Sequence, residues 1–191
     1  MPAKIKAIIF DCFGVVVGQG FDETYRSAGG DPVADREFIA NELYRSNLGL
    51  IPQSQFRQEI AERLHISLDD WRAAERPDTE LLEYIIGLRK KFKTAILSNA
   101  NTGVLPRRIG ADWLERCFDE VVVSAEVGKI KPDPEIYLYT AAKLGVSPSE
   151  CVFFDDLARY TEAADAVGMR GIQYKGFQQA RADLEKILAD N

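Results

Sequence analysis

Five short apolar runs punctuate the chain: Ala7–Phe10, Thr94–Ser98, Glu120–Ser124, Cys151–Phe154 and Gly171–Tyr174. Val, Ile and Phe dominate them without polar alternation, the pattern of strands covered on both faces of a parallel sheet. From Glu80 onward the segments between them have helical spacing. Leu81, Leu82, Ile85 and Ile86 mark one apolar face. In K-P-D-P-E-I-Y-L-Y, Asp133 is placed to cap a helix whose first residue is Pro134. Further helices fit Arg159–Val167, stopped by Gly168, and Phe177–Ala189. Strands alternating with helices predict an α/β fold built on a doubly wound parallel sheet.

The stretch from Gly18 to Pro77 breaks that rhythm. It has no clear buried strand but carries helical spacings such as Phe56, Ile60 and Leu64. Ser67-Leu68-Asp69-Asp70 resembles a capping box opening another helix. A gap of about sixty residues between the first two strands is too long for a simple crossover. The expected organisation is therefore a core of residues 1–17 and 78–191 with a helical subdomain, residues 18–77, inserted after the first strand. In open α/β sheets ligands bind beyond the carboxyl ends of the strands. An insertion leaving from such an end is placed to cover the site.

With 191 residues, the chain is long enough to bury most of its apolar surface without disulfide or metal staples. Its net charge of −6 and the lack of a dense basic tract argue against nucleic acid as a partner. Arg89-Lys90-Lys91 reads as the end of a helix. Cys12, Cys117 and Cys151 are far apart and lie in or beside apolar stretches, so core packing is their expected role. No apolar run reaches membrane-spanning length. The run before Asp11 is too short for a signal peptide. A cytoplasmic protein is the expectation; oligomeric state has no signature here.

The polar residues at the strand ends change the picture. The first strand ends in Asp11 and the second in Ser98-Asn99. After the third comes G-K-I-K-P-D-P with Lys131, and the fourth ends in F-F-D-D, giving Asp155 and Asp156. If the strands are parallel, all of these meet at one edge of the sheet. Three carboxylates cannot stay ionised together without cations, and Lys131 supplies only one positive charge. A hard divalent ion such as Mg²⁺ would supply the rest. His65, the single histidine, lies in the insertion, so nothing favours zinc. A carboxylate beside Mg²⁺, a hydroxyl, an amide and a lysine suggest phosphoryl transfer through a covalent aspartyl intermediate.

Taken in order, F-D-C-F-G-V-V, I-L-S-N, V-G-K-I-K-P-D-P-E-I-Y and V-F-F-D-D-L-A-R-Y-T-E-A-A-D-A-V-G-M resemble the four motifs of the haloacid dehalogenase-like superfamily of hydrolases. The resemblance runs from Lys4 to Gly176. It implies a Rossmann-like core and a small helical cap inserted after the first motif. Carried over residue by residue, it makes Asp11 the nucleophile. Asp11 and Asp156 become direct Mg²⁺ ligands, joined by the backbone carbonyl of Phe13, with Asp155 acting through water. Ser98 and Lys131, helped by Asn99, would hold the phosphoryl oxygens. Gly14 would serve the tight chain path after the nucleophile.

One position departs from the pattern. Phosphatases of this superfamily commonly carry a second aspartate where this chain has Phe13. That acid protonates the leaving oxygen, and its loss removes general acid–base help worth typically ~10²–10⁴-fold. The favoured reading is a Mg²⁺-dependent phosphatase acting on a small phosphorylated molecule, least impaired where the leaving group needs no proton. The alternatives are a metal-independent haloacid dehalogenase-like hydrolase and a degenerate member that only binds. Asp22 and Glu23 follow the first motif and are candidates for a replacement acid. Arg45 and Arg57 are candidates for a second anionic group on the substrate, and Tyr25, Phe38, Tyr44 and Phe56 for pocket walls.

Overall fold

The computed structural model describes residues 3–18, 21–69 and 76–189. Its sheet has five parallel strands: β1 (Ala7–Phe10), β2 (Lys93–Ser98), β3 (Glu120–Val123), β4 (Cys151–Asp155) and β5 (Arg170–Gln173). Their spatial order is β3-β2-β1-β4-β5. The chain runs outward from β1 in one direction and then in the other, so β1 marks the topological switch point. Phe10 pairs with Ile96 on one side and Phe154 on the other. That register brings the ends of β1, β2 and β4 to one edge.

Among the described residues, three helices lie between β1 and β2 before the core resumes: α1 (Phe21–Ser27), α2 (Arg36–Asn47) and α3 (Gln53–Leu64). The core helices are α4 (Thr79–Arg89), α5 (Val104–Arg108), α6 (Ala111–Cys117), α7 (Ser124–Val127), α8 (Pro134–Leu144), α9 (Ala158–Ala166) and α10 (Phe177–Ala189). Alternation along the strands sorts side chains to two faces. Ile8, Phe10, Ile96 and Phe154 pack with Leu81, Leu82 and Ile85 of α4 and Leu184 of α10. Ala7, Ile9, Leu97 and Phe153 pack with Ile136, Tyr137 and Ala141 of α8 and Ala164 of α9. Helices thus cover both faces, and the doubly wound α/β reading holds. All three cysteines are buried and unbridged.

Some expectations need correction. β3 and β5 are edge strands with neighbours on one side only, so Val121 is exposed and Gly171 only half-buried. Ser124 is not the last strand residue but opens α7, where its hydroxyl accepts from the Ala100 N–H. Tyr174 falls just past β5, though its N–H still donates to the Asp155 carbonyl at 2.8 Å. Asp133 occupies the N-cap position of α8 without a side-chain cap bond. Its backbone carbonyl accepts from Ile136 N–H instead. The helix expected after Ser67-Leu68-Asp69-Asp70 lies outside the described residues. No described helix is long and apolar enough to cross a membrane.

The chain leaves the core and returns to it at one point. Val17 bridges Pro77, and Asp78 N–H donates to the Val16 carbonyl at 2.8 Å. Between these points α1–α3 enclose a small core of their own, made by Tyr25, Ile39, Ile51, Phe56 and Ile60. Tyr25 donates to Asp35 at 2.7 Å, and Arg63 pairs with the same carboxylate. His65 ends α3 in the left-handed conformation, exposed to solvent.

Candidate active site

Asp11 directly follows β1, and its N–H donates to the Phe154 carbonyl at 2.8 Å, which anchors it to β4. Asp155 ends β4 and is fully buried. One of its oxygens accepts from Leu157 N–H at 2.9 Å, and the other faces Lys131. Lys131 reaches in from the loop before α8. Its Nζ donates to Asp11 Oδ1 at 2.7 Å and to Asp155 Oδ2 at 2.6 Å, with the residue 2% exposed. Asp156 completes the group: one carboxylate oxygen from each aspartate lies within 4.8 Å of the others.

Three carboxylates against one ammonium leave excess negative charge in a buried place. Burial, reinforced by Asp155, pushes the Asp11 carboxyl up to about 7 despite the attraction of Lys131. Burial and then Asp155 push Asp156 to about 6. Burial works against the charge on Lys131, but its two carboxylate partners hold its pKa above the ordinary lysine value. The donor set is all oxygen and more negative than the lysine can balance. It fits a hard divalent cation, which would favour the ionised form of Asp11 and Asp156.

Asn99 makes a reciprocal pair with the backbone of Lys131. Its Nδ2 donates to the Lys131 carbonyl and its Oδ1 accepts from the Lys131 N–H, both at 2.9 Å. The side chain is therefore occupied in placing the lysine. Ser98 is fully buried at the end of β2, and its hydroxyl has no hydrogen-bond partner. An unpaired buried hydroxyl is costly unless something completes it. Gly14 has φ +84°, and a Cβ there would lie 2.5 Å from Asp156 Oδ2. The glycine thus serves the turn and also makes room for a carboxylate.

A cavity of about 720 Å³ opens between this edge and the insertion. Asp11, Asp156, Lys131 and Asn99 meet it from the core, and Phe21, Asp22, Leu43 and Phe56 from α1–α3. Phe13 is half-buried, packs on the core and lines the cavity too. Of the other aromatic candidates, Tyr25 is internal to the insertion, Phe38 packs against that small core, and Tyr44 is exposed. Arg45 pairs with Glu42 at 2.7 Å and Glu59 at 3.2 Å; Arg57 donates to the Leu68 carbonyl. Neither arginine lines the cavity.

Two residues escaped the sequence reading. Tyr160, in the first turn of α9, places its ring centroid 4.8 Å from Lys131 Nζ, and its hydroxyl accepts from Asn99 Nδ2 at 3.3 Å. Asn101 donates to Ser46 Oγ at 3.2 Å and to the Ile51 carbonyl at 2.8 Å, tying the core to the insertion. Asn101 comes just after the end of β2, a signal that could have found it; Tyr160 lies within α9, where an aromatic residue gives no such signal.

A family model for haloacid dehalogenase-like hydrolases matches residues 5–168. The chain belongs to that family. It is a hydrolase by membership. It is similar to D-ribitol-5-phosphate phosphatase of Bacteroides thetaiotaomicron, 25% identical over 96% of this chain and 98% of that one. A phosphorylated carbohydrates phosphatase of Thermotoga maritima is 29% identical over 88% of this chain and 84% of that one. A solved structure of a HAD-like hydrolase from Porphyromonas gingivalis superposes with TM-score 0.75 and 26% identity, covering 97% of this chain and 98% of that one.

Proposed function

We propose that this hydrolase is a Mg²⁺-dependent phosphatase for a small phosphomonoester, of the sugar or polyol phosphate kind, with Asp11 as nucleophile. The observation that carries this reading is Lys131 Nζ held between Asp11 and Asp155, with Asp156 in the same cluster. A haloacid dehalogenase has no use for the added acid, which would repel a carboxylate substrate. The phosphatase relatives point the same way.

Asp11, Asp156 and the Phe13 carbonyl would hold the ion, with Asp155 beside them through water. When bound, Mg²⁺ neutralises charge on the phosphoryl oxygens and keeps the aspartates ionised. An oxygen of Asp11 attacks phosphorus, the P–O ester bond breaks, and the leaving oxygen departs with its electron pair. Lys131 and Ser98 stabilise the oxygens of the transferring group, and Asn99 keeps Lys131 in place. Water then attacks the aspartyl phosphate, releasing inorganic phosphate and the Asp11 carboxylate. Phe13 has no proton to give, so the departing oxygen takes one from solvent. Good leaving groups are thereby favoured. Residues 18–77 act as a cap over the cavity, consistent with the single exit and return at Val17 and Pro77.

The test is phosphate release from p-nitrophenyl phosphate with Mg²⁺ and with EDTA, using wild type, Asp11→Asn and Phe13→Asp. Mg²⁺-dependent release lost in Asp11→Asn is the expected result. No release from wild type alongside strong release from Phe13→Asp would overturn it, leaving intact machinery put to another use.

A further inference from the structure

We infer that Arg159 recognises a second anionic group, a carboxylate or a further phosphate, on the phosphorylated substrate. This deepens the phosphatase reading and rests on it for what sits at the Lys131 end. The sequence candidates for that task, Arg45 and Arg57, are engaged within the insertion and do not reach the cavity. Arg159 does line it, from the first turn of α9.

Among the described residues, three cationic side chains line the cavity, Arg108, Lys131 and Arg159, against the carboxylates of Asp11, Asp22 and Asp156. Lys131 is already matched by Asp11 and Asp155. Arg159 is exposed and has no ion-pair partner among the described residues, Asp22 included. It is nevertheless held in place. Its guanidinium lies 4.8 Å over the Tyr160 ring, and one of its N–H groups donates to the Tyr160 hydroxyl at 3.3 Å. A guanidinium has five N–H donors in a planar fork, so most remain for a ligand oxygen pair. Stacking on an aromatic face lowers the entropy lost on binding.

The same ring bounds the spacing. Lys131 Nζ also lies 4.8 Å from the Tyr160 centroid, so the two cations stand no more than twice that distance apart. That interval suits a phosphate ester of a few carbons with an acid at its other end. Tyr160 thus contacts both cations, and its hydroxyl also receives the Asn99 amide.

The test uses a pair of ligands differing only in that group: 3-phosphoglycerate, with a carboxylate, and glycerol 3-phosphate, with a hydroxymethyl in its place. Calorimetry in Mg²⁺ measures their binding to Asp11→Asn and to Asp11→Asn combined with Arg159→Gln, so that neither ligand is consumed. Turnover of both is measured with wild type and Arg159→Gln. The carboxylate is expected to tighten binding by about tenfold or more, the scale of a charge-assisted hydrogen bond, and Arg159→Gln is expected to erase that preference. Arg159→Lys, keeping the charge but not the fork, is expected to recover part of it. Equal binding of the two ligands with Arg159 present, or a preference that survives Arg159→Gln, would overturn the inference. A preference lost in Arg159→Gln, with no Mg²⁺-dependent phosphate release by wild type from either ligand or from p-nitrophenyl phosphate, would uphold the subsite and sink the phosphatase reading.

Discussion

The amide of Asn99 closes a two-bond ring with the backbone of Lys131, donating to its carbonyl and accepting from its N–H. A lysine that must neutralise two buried carboxylates depends on where its backbone sits, and Asn99 decides that. Asn99→Ala is expected to cost about 2 kcal/mol of stability, since it strands two part-buried backbone groups. It should lower kcat more than it raises KM. Asn99→Asp keeps the acceptor but loses the donor and should fall between. Thermal melts and steady-state kinetics check this; an alanine variant with unchanged kcat would show that Lys131 is held by other means.

Gly14→Ala places a methyl group against Asp156 and forces a side chain onto φ +84°. The backbone conformation alone costs about 1–2 kcal/mol. The displaced carboxylate should weaken Mg²⁺ binding by about tenfold or more, the scale associated with disturbed ligand support. Titration of activity or of thermal stability with Mg²⁺ reads the shift. Unchanged Mg²⁺ dependence would mean that Asp156 is not a ligand.

Cation-free protein should lose stability as pH rises from about 4 to 7. In that window the unfolded chain has released the Asp11 and Asp156 protons while the folded state, with values near 7 and 6, still holds them. Mg²⁺ favours the ionised carboxylates and opposes the loss. The rise in Tm on adding Mg²⁺ in place of EDTA should therefore be larger near pH 8 than near pH 5. An equal rise at both would remove the carboxylate cluster as the binding site.

Phe13→Asp restores a proton donor at a position that lines the cavity. Its gain should be greatest on alkyl phosphates, up to the ~10²-fold end of general acid catalysis, and small on p-nitrophenyl phosphate, whose leaving group needs no proton. The ratio of kcat/KM between the two substrate types is the measurement. A uniform gain would assign Phe13 a steric effect instead.

The strand cores and the order of the active edge were legible because buried parallel strands announce themselves as unbroken apolar runs ending in polar residues. Asp11, Lys131, Asp155 and Asp156 could be grouped on that basis alone. The edge strands were overread, because Val121 and Gly171 have the same composition as buried residues but sit on strands with no neighbouring strand on one side. The task of Asn99 was hidden, since an amide after a strand has equal capacity to meet a ligand or a loop, and only the approach of Lys131 decides. Arg45 and Arg57 misled for a related reason: the partners that occupy them, Glu42, Glu59 and the Leu68 carbonyl, are revealed by helix packing and not by spacing. Tyr160 sits on the helix after F-F-D-D, where an aromatic residue is indistinguishable from ordinary core.

Residues 98–101 pass without interruption from the chemistry to the insertion. Ser98 carries the unpaired buried hydroxyl, Asn99 grips Lys131, and Asn101 grips Ser46 and Ile51. The neighbouring Ala100 N–H donates to Ser124, whose hydroxyl in turn donates to the Asn47 carbonyl. One short stretch of chain is thus a strut braced at both ends. Lifting the helices above the cavity would require breaking these bonds or tugging on the backbone that locates the lysine. In a cap that opens and closes, admission of substrate and readiness of the charge cluster would share a single mechanical coordinate.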